Sequence, residues 1–193
     1  MKKGRVAAGR PLKKKHLVTS SHGPRSFSLS SRASFVQAFA MATPKYWRMQ
    51  LHPSDPEHSM AHAAQSLVAG FIGLDFERDV GDLFRTDQSE LPSQQRDYYG
   101  FAHDMDTDDF VLIICHHFPF ALVNVAGLYN YIRQPVPKIG VWFRHFRAVK
   151  NVRYYADEVT NAASWKQVRM TDTISPLHDP SSVSRRLIAS WLK

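Results

Sequence analysis

A single cysteine, Cys115, among 193 residues excludes an internal disulfide framework and a zinc ribbon, and fits a reducing, cytoplasmic compartment. No stretch approaches the roughly eighteen uninterrupted apolar residues of a membrane-spanning helix, so none is expected. Glycine is sparse, at nine residues, and nowhere forms the Gly-rich loop of a P-loop nucleotide hydrolase. Acidic residues are missing altogether from residues 1–40, which hold nine of the 25 Lys and Arg. The remainder is nearly balanced, 16 basic side chains against 17 acidic. The formal charge of +8 therefore belongs to the tail, and is no argument that the folded part binds nucleic acid.

Residues 1–40 are rich in Ser, Lys and Arg and carry no sustained period of 2 or 3.6, so disorder is expected there. Three readings compete: an electrostatic arm for phosphates, a transit peptide, or a translated upstream region with Met41 as the natural start. The last is preferred, because organised sequence begins abruptly after Met41. A single domain is then expected over 41–193.

Lys45 to Leu51 alternates, with Trp47, Met49 and Leu51 on one face, as a half-buried strand does. Ser54 and Glu57 have the spacing of a capping box, and Met60, Ala63, Ala64, Leu67 and Val68 form a helical stripe that Gly70 would end. A strand over Phe71 to Phe76 follows, read as parallel to the first with the helix as crossover. Val80 to Leu83 is a turn, and Ser93 to Phe101 a second helix behind Pro92. Phe110–Cys115 and Phe120–Val125 read as a hairpin, and Ile139–Val152 as a further strand after a proline-bearing loop. Val183, Leu187, Ile188 and Trp191 share one face of a last helix that begins near Pro180. The sum is α+β: five or six mostly antiparallel strands curled around one core, with two or three helices.

The D-x-D-x-D run of Asp104 to Asp109 fails as a calcium loop, since Asp109 and Cys115 stand where Gly and Glu are required. It reads instead as a solvated turn before a buried strand. Cys115, His116 and His117 cannot close a zinc site, because no second ligand pair follows. No metal, cofactor, nucleophile or catalytic base is expected. Aromatic residues are the strongest signal: twelve Phe, seven Tyr and four Trp. Trp47 and Trp191 fall on apolar faces and belong to the core. Trp142-Phe143-Arg144-His145-Phe146-Arg147 differs, because it interleaves rings with guanidinium groups on one strand. One face carries Arg144 and Phe146, the other His145 and Arg147. Rings beside cations are what binding an unstacked base requires, while a buried aromatic face with solvated arginines explains the same pattern equally well.

In order, Tyr46-Trp47-Arg48-Met49-Gln50-Leu51, a helix, Gly70-Phe71-Ile72-Gly73-Leu74-Asp75-Phe76 and Val80-Gly81-Asp82-Leu83 resemble the opening of the EVE/YTH branch of the PUA-like superfamily. They look especially like the N-terminal modules of McrBC-type restriction proteins. Asp109 to Ile113 with Ala121 to Gly127 is similar to that family's central hairpin, although Asp108 replaces its usual glycine. Trp142 to Val152 is similar to its next strand, which carries a cage aromatic. The resemblance covers residues 45–152 and implies a small PUA-like curled β-barrel with flanking helices. It also implies a non-catalytic pocket for a modified or flipped nucleobase, acting as specificity component of a restriction or defence system. Ile72 stands where YTH readers place a cage Trp, so either Phe71 or Phe76 substitutes or the pocket serves another ligand. On this resemblance Phe71, Phe76, Trp142, His145 and Phe146 are candidate base-stacking residues, and Asp75 and Asn124 candidate readers of the base edge. Arg133, Arg144 and Arg147 would hold flanking phosphates. The implied partners are nucleic acid, modified DNA ahead of RNA, and a nuclease or motor subunit on a separate chain, with no membrane. The alternative is a nucleotide-sensing or protein-interaction domain on the same scaffold.

Overall fold

Strand β1, Tyr46–Gln50, keeps the expected alternation: Trp47 and Met49 are buried while Tyr46, Arg48 and Gln50 are half-buried. The computed structural model describes residues 43–51, 57–75, 79–115, 118–155, 168 and 172–193. The readings of residues 1–40 and Met41, Ser54, Phe76, His116 and His117 lie outside them.

Helix α1, Ser59–Val68, starts later than the capping-box spacing predicts, with Glu57 and His58 in a turn and no side-chain cap on His58. Its buried face is Ser59, Ala63, Ser66 and Leu67, whereas Met60 and Val68 are exposed. The apolar stripe in the sequence is thus wider than the face that packs. Gly70, at φ 81°, takes the left-handed conformation that ends the helix, as expected.

Strand β2, Phe71–Leu74, is not parallel to β1. It pairs antiparallel with β6, His145–Tyr154, while β1 lies parallel to β3, Phe110–Cys115. β3 is buried on both faces and is an interior strand, with a neighbour on each edge. Those neighbours are β1 and β4, Phe118–Val125, and α1 carries the chain across to the far side of the sheet. Gly73 makes the β2–β6 approach achievable, because a Cβ there would collide with Phe143 and the His145 carbonyl.

The order is β2-β6-β4-β3-β1-β7, with β5 (Asn130–Tyr131) also on β6 and β7 being Ile174–Pro176. Seven strands therefore form one mixed sheet, curled as a half-barrel, where five or six were expected. The inner core gathers Trp47, Met49, Leu67, Ile72, Val111, Ile113, Val123 and Phe143. The outer face buries Leu112, Ile114, Leu122 and Tyr155 under helix α3, Val183–Trp191, through Ile188 and half-buried Leu187 and Trp191. Helix α2, Tyr99–His103, continues a 3-10 segment over Ser93–Tyr98. Among the described residues no helix is long and apolar enough to cross a membrane.

One acid of the 104–109 loop is not solvated. Asp109 is 2% exposed and accepts from the Lys45 amide (2.8 Å), the Trp47 indole N–H (2.9 Å) and the Asp106 amide (2.9 Å). Three N–H donors on one buried carboxylate tie the start of β1 to the loop before β3.

Candidate functional site

The two faces of β6 resolve as alternation requires. His145 and Arg147 point inward and are buried, at 0% and 3% exposure, while Arg144 and Phe146 are half-buried on the other face. Arg147 spends its guanidinium on backbone: Nε donates to the Phe101 carbonyl (2.8 Å), Nη2 to Ala102 (3.1 Å) and Nη1 to Gly127 (3.2 Å). It thereby ties α2 and the loop after β4 to the sheet.

Phe146 meets Phe71 edge to face at 5.6 Å, and Arg144 forms an ion pair with Asp75. Two side chains assigned separately to phosphate and to base edge thus neutralise each other. Trp142 stacks on His62 of α1 at 4.5 Å. Asn124 pairs with Lys150 in the sheet, five residues along β6 from His145, or roughly 17 Å of strand. Its amide bonds the Asp108 carbonyl and accepts from Asn151. Arg133 is exposed on the loop after β5.

Three segments in which the sequence reading placed no base-binding residue enclose the most distinctive space. A cavity of about 530 Å³ is lined by Asp82, Phe84 and Arg85, by Ala102, His103, Met105 and Asp106, and by Leu128 to Tyr131, with Arg147 in its wall. That volume is in the range of small-ligand sites, roughly 300–1,000 Å³. Of the ten sequence-predicted site residues, Arg147 lines it and His145 stands behind it. Phe84 is 61% exposed, unusual for a ring with a core role. It stacks on His103 at 4.8 Å, and His103 stacks on Tyr99 at 3.9 Å. Tyr129 lies near-parallel to Phe84, with centroids 6.1 Å apart and planes at 27°.

Hydrogen bonds hold these rings. The Leu83 amide donates to the Tyr129 hydroxyl (3.0 Å), and the same hydroxyl shares a hydrogen bond with Nδ1 of His145 (2.8 Å). Burial keeps the His145 imidazole neutral, pushing its pKa down to about 4, and burial likewise raises that of Tyr129. His103 Nε2 donates to the Leu83 carbonyl (3.0 Å), so both polar groups of Leu83 anchor to the aromatic column. Tyr131 donates to Asp79, whose pKa is lowered first by the Gly81 amide and also by this hydroxyl. The rim carries two carboxylates. Asp82 faces Arg85 at 3.6 Å, a pair worth little because Arg85 is solvated, and Asp106 bonds Lys45 at 3.0 Å.

The arrangement suits binding of a planar ring. Among the described residues no group of three or more His, Cys, Asp and Glu is placed to hold a metal ion. Cys115 is fully buried, and burial pushes its thiol up to about 12, which leaves no thiolate for nucleophilic attack. A sequence signal for the cavity did exist. Tyr129-Asn130-Tyr131 and Phe84 are aromatic residues in turn-rich segments without strand or helix period, where packing does not call for rings. No protein-family model matches the chain, and no curated protein matches it significantly.

Proposed function

We propose that this protein is a non-catalytic nucleic-acid-binding module that takes a modified or flipped nucleobase into the cavity between Phe84 and Tyr129. The observation that carries the reading is Phe84 itself: an exposed ring, stacked on His103 and tilted 27° to Tyr129, at a cavity that both Phe84 and Tyr129 line. A flipped base loses stacking and pairing worth a few kcal/mol, and stacking on side-chain rings offsets that loss. A third ring between Phe84 and Tyr129 requires about 7 Å, two contacts of roughly 3.5 Å. The 6.1 Å between their centroids falls short of that, so Phe84 must move outward to admit a base. It sits on a turn closed by the Asp82 carbonyl and the Arg85 amide, with Asp82 Oδ1 accepting from its own amide. Tyr129, locked by Leu83 and His145, is the fixed wall.

The wider reading rests on the sequence resemblance: a PUA-like barrel, found in the cytoplasm, that serves as the specificity component of a restriction or defence system. Nuclease and motor would be separate chains, and modified DNA is the preferred ligand over RNA. The curled mixed sheet with helices on both faces is compatible with that fold. One observation favours the second reading, a free nucleotide or other small ligand: the rim carboxylates Asp82 and Asp106 would repel a phosphate backbone laid across them.

Equilibrium binding to modified and unmodified DNA and RNA oligonucleotides, and to the corresponding free nucleosides, tests both. The base reader predicts a modification-dependent oligonucleotide affinity that Phe84→Ala lowers by 1–3 kcal/mol, roughly 5- to 150-fold. Binding of nucleosides but not of oligonucleotides would select the small-ligand reading. A Phe84→Ala variant that binds every probe as the parent does would remove this cavity from the account.

A further inference from the structure

A second cavity, of about 490 Å³, is lined by Thr43 to Trp47, Asp104, Pro176 to His178 and Arg185. It adjoins the aromatic one along the loop Asp104-Met105-Asp106: Asp104 lines the second cavity, Met105 and Asp106 the first. Lys45 reaches over the same loop, donating to the Asp104 carbonyl and to Asp106.

Arg185 is the unusual group here. Its guanidinium carbon lies 3.3 Å from the centre of the Tyr46 ring, and Tyr46 is backed in turn by Phe110, stacked at 5.2 Å. The side chain is half-buried, yet its buried Nε has no hydrogen-bond partner and, among the described residues, no carboxylate pairs with it. Most buried polar groups find partners, and a planar fork held flat on a ring is pre-organised for an oxyanion. Lys45 and His178 are exposed beside it, and the Lys45 ammonium donates to the Asp104 backbone carbonyl and pairs with Asp106.

We propose that this cavity is a phosphodiester subsite in which Arg185 grips the backbone of the strand whose base enters between Phe84 and Tyr129. The inference rests on the base-reading proposal and extends it. It also gives the strand a route past the acidic rim, on the far side of the 104–106 loop. Arg185 would make a fork of two hydrogen bonds to one phosphate, with the exposed His178 ring beside it.

The test uses the full chain, a labelled single-stranded deoxythymidine dodecamer and a salt series from about 50 to 200 mM KCl. Arg185→Gln keeps a stem over Tyr46 and removes the charge. Each lost phosphate contact on a single strand reduces the slope of log affinity against log salt by about 0.7. The variant should show that loss and bind several-fold more weakly at the low-salt end, at an unchanged melting temperature. Contributions of residues 1–40 are common to parent and variant and cancel. His178→Ala is the second variant, expected to change affinity in the same direction by less. A parent that does not bind the dodecamer, or an Arg185→Gln variant with the parent's affinity and slope, overturns the subsite. Free-nucleoside binding should be untouched by Arg185→Gln and weakened roughly 5- to 150-fold in Phe84→Ala. Nucleoside binding that is unchanged in Phe84→Ala refutes the base-reading cavity instead, whatever the dodecamer does.

Discussion

Replacing Arg147 by alanine discriminates between a ligand-binding arginine and a structural one. Arg147 is 3% exposed, and its three hydrogen bonds all end on backbone carbonyls, those of Phe101, Ala102 and Gly127. Its guanidinium also lies 5.8 Å from the Phe101 ring centre. Truncation leaves a cavity and strips three carbonyls of their donor. Each bond from a charged donor contributes roughly 1.5–3 kcal/mol, and water entering the void recovers part of the loss. A net cost of about 3–5 kcal/mol is expected, the range seen when one partner of a buried charged network is removed. At about 2–4 °C per kcal/mol for a domain near 150 residues, the melting temperature should fall by roughly 6–20 °C. Arg147→Lys should recover only a fraction, since an ammonium cannot reach three separate carbonyls in the plane of a fork. Thermal and urea denaturation followed by near-ultraviolet circular dichroism read both variants. The reasoning fails if Arg147→Ala melts with the parent. If such a variant also lost oligonucleotide affinity, Arg147 would be a phosphate ligand after all.

Tyr129→Phe removes the hydroxyl that joins Leu83 to His145 and takes the acceptor from the buried Leu83 amide, so a loss of about 1–3 kcal/mol is expected in urea titration, together with weaker nucleoside binding. Acid should destabilise the fold through His145. Its folded pKa of about 4 lies below an unfolded value near 6.5, so the unfolded state binds the extra proton. The stabilisation is complete above about pH 6.5 and is lost progressively down to about pH 4. Urea midpoints for the parent should drop across that window and those for His145→Gln should drop less; equal slopes would refute the assignment. Asp109→Ala orphans the Lys45 and Asp106 amides and the Trp47 indole, and should cost about 3–5 kcal/mol. A quenched or red-shifted Trp47 emission would accompany it, and unchanged stability would show that water replaces the carboxylate.

Local pattern determined much of this protein. Alternation over Lys45 to Leu51 was enough to orient β1, the apolar run 110–115 was enough to mark a strand buried on both faces, and Val183 to Trp191 displayed its packing face. Gly70 marked the end of α1 because only a left-handed residue ends a helix there. Side-chain periodicity is a property of each element alone, so it survives in the sequence. Partner choice does not. Whether β1 lay beside β2 or β3 was decided by long-range pairing, and the crossover from β1 reached the far side of the sheet instead of its neighbour. The arginine–aromatic strand declared two faces but not which one turned inward. Tertiary packing placed His145 and Arg147 inside and left Arg144 to Asp75. The cavity was the least legible feature, because its lining comes from 82–85, from the end of α2 with the loop to 106, and from 128–131 with the short strand β5, three segments far apart in sequence. Only the curl of the sheet, which brings the ends of β2, β4 and β6 together, sets Phe84 across from Tyr129.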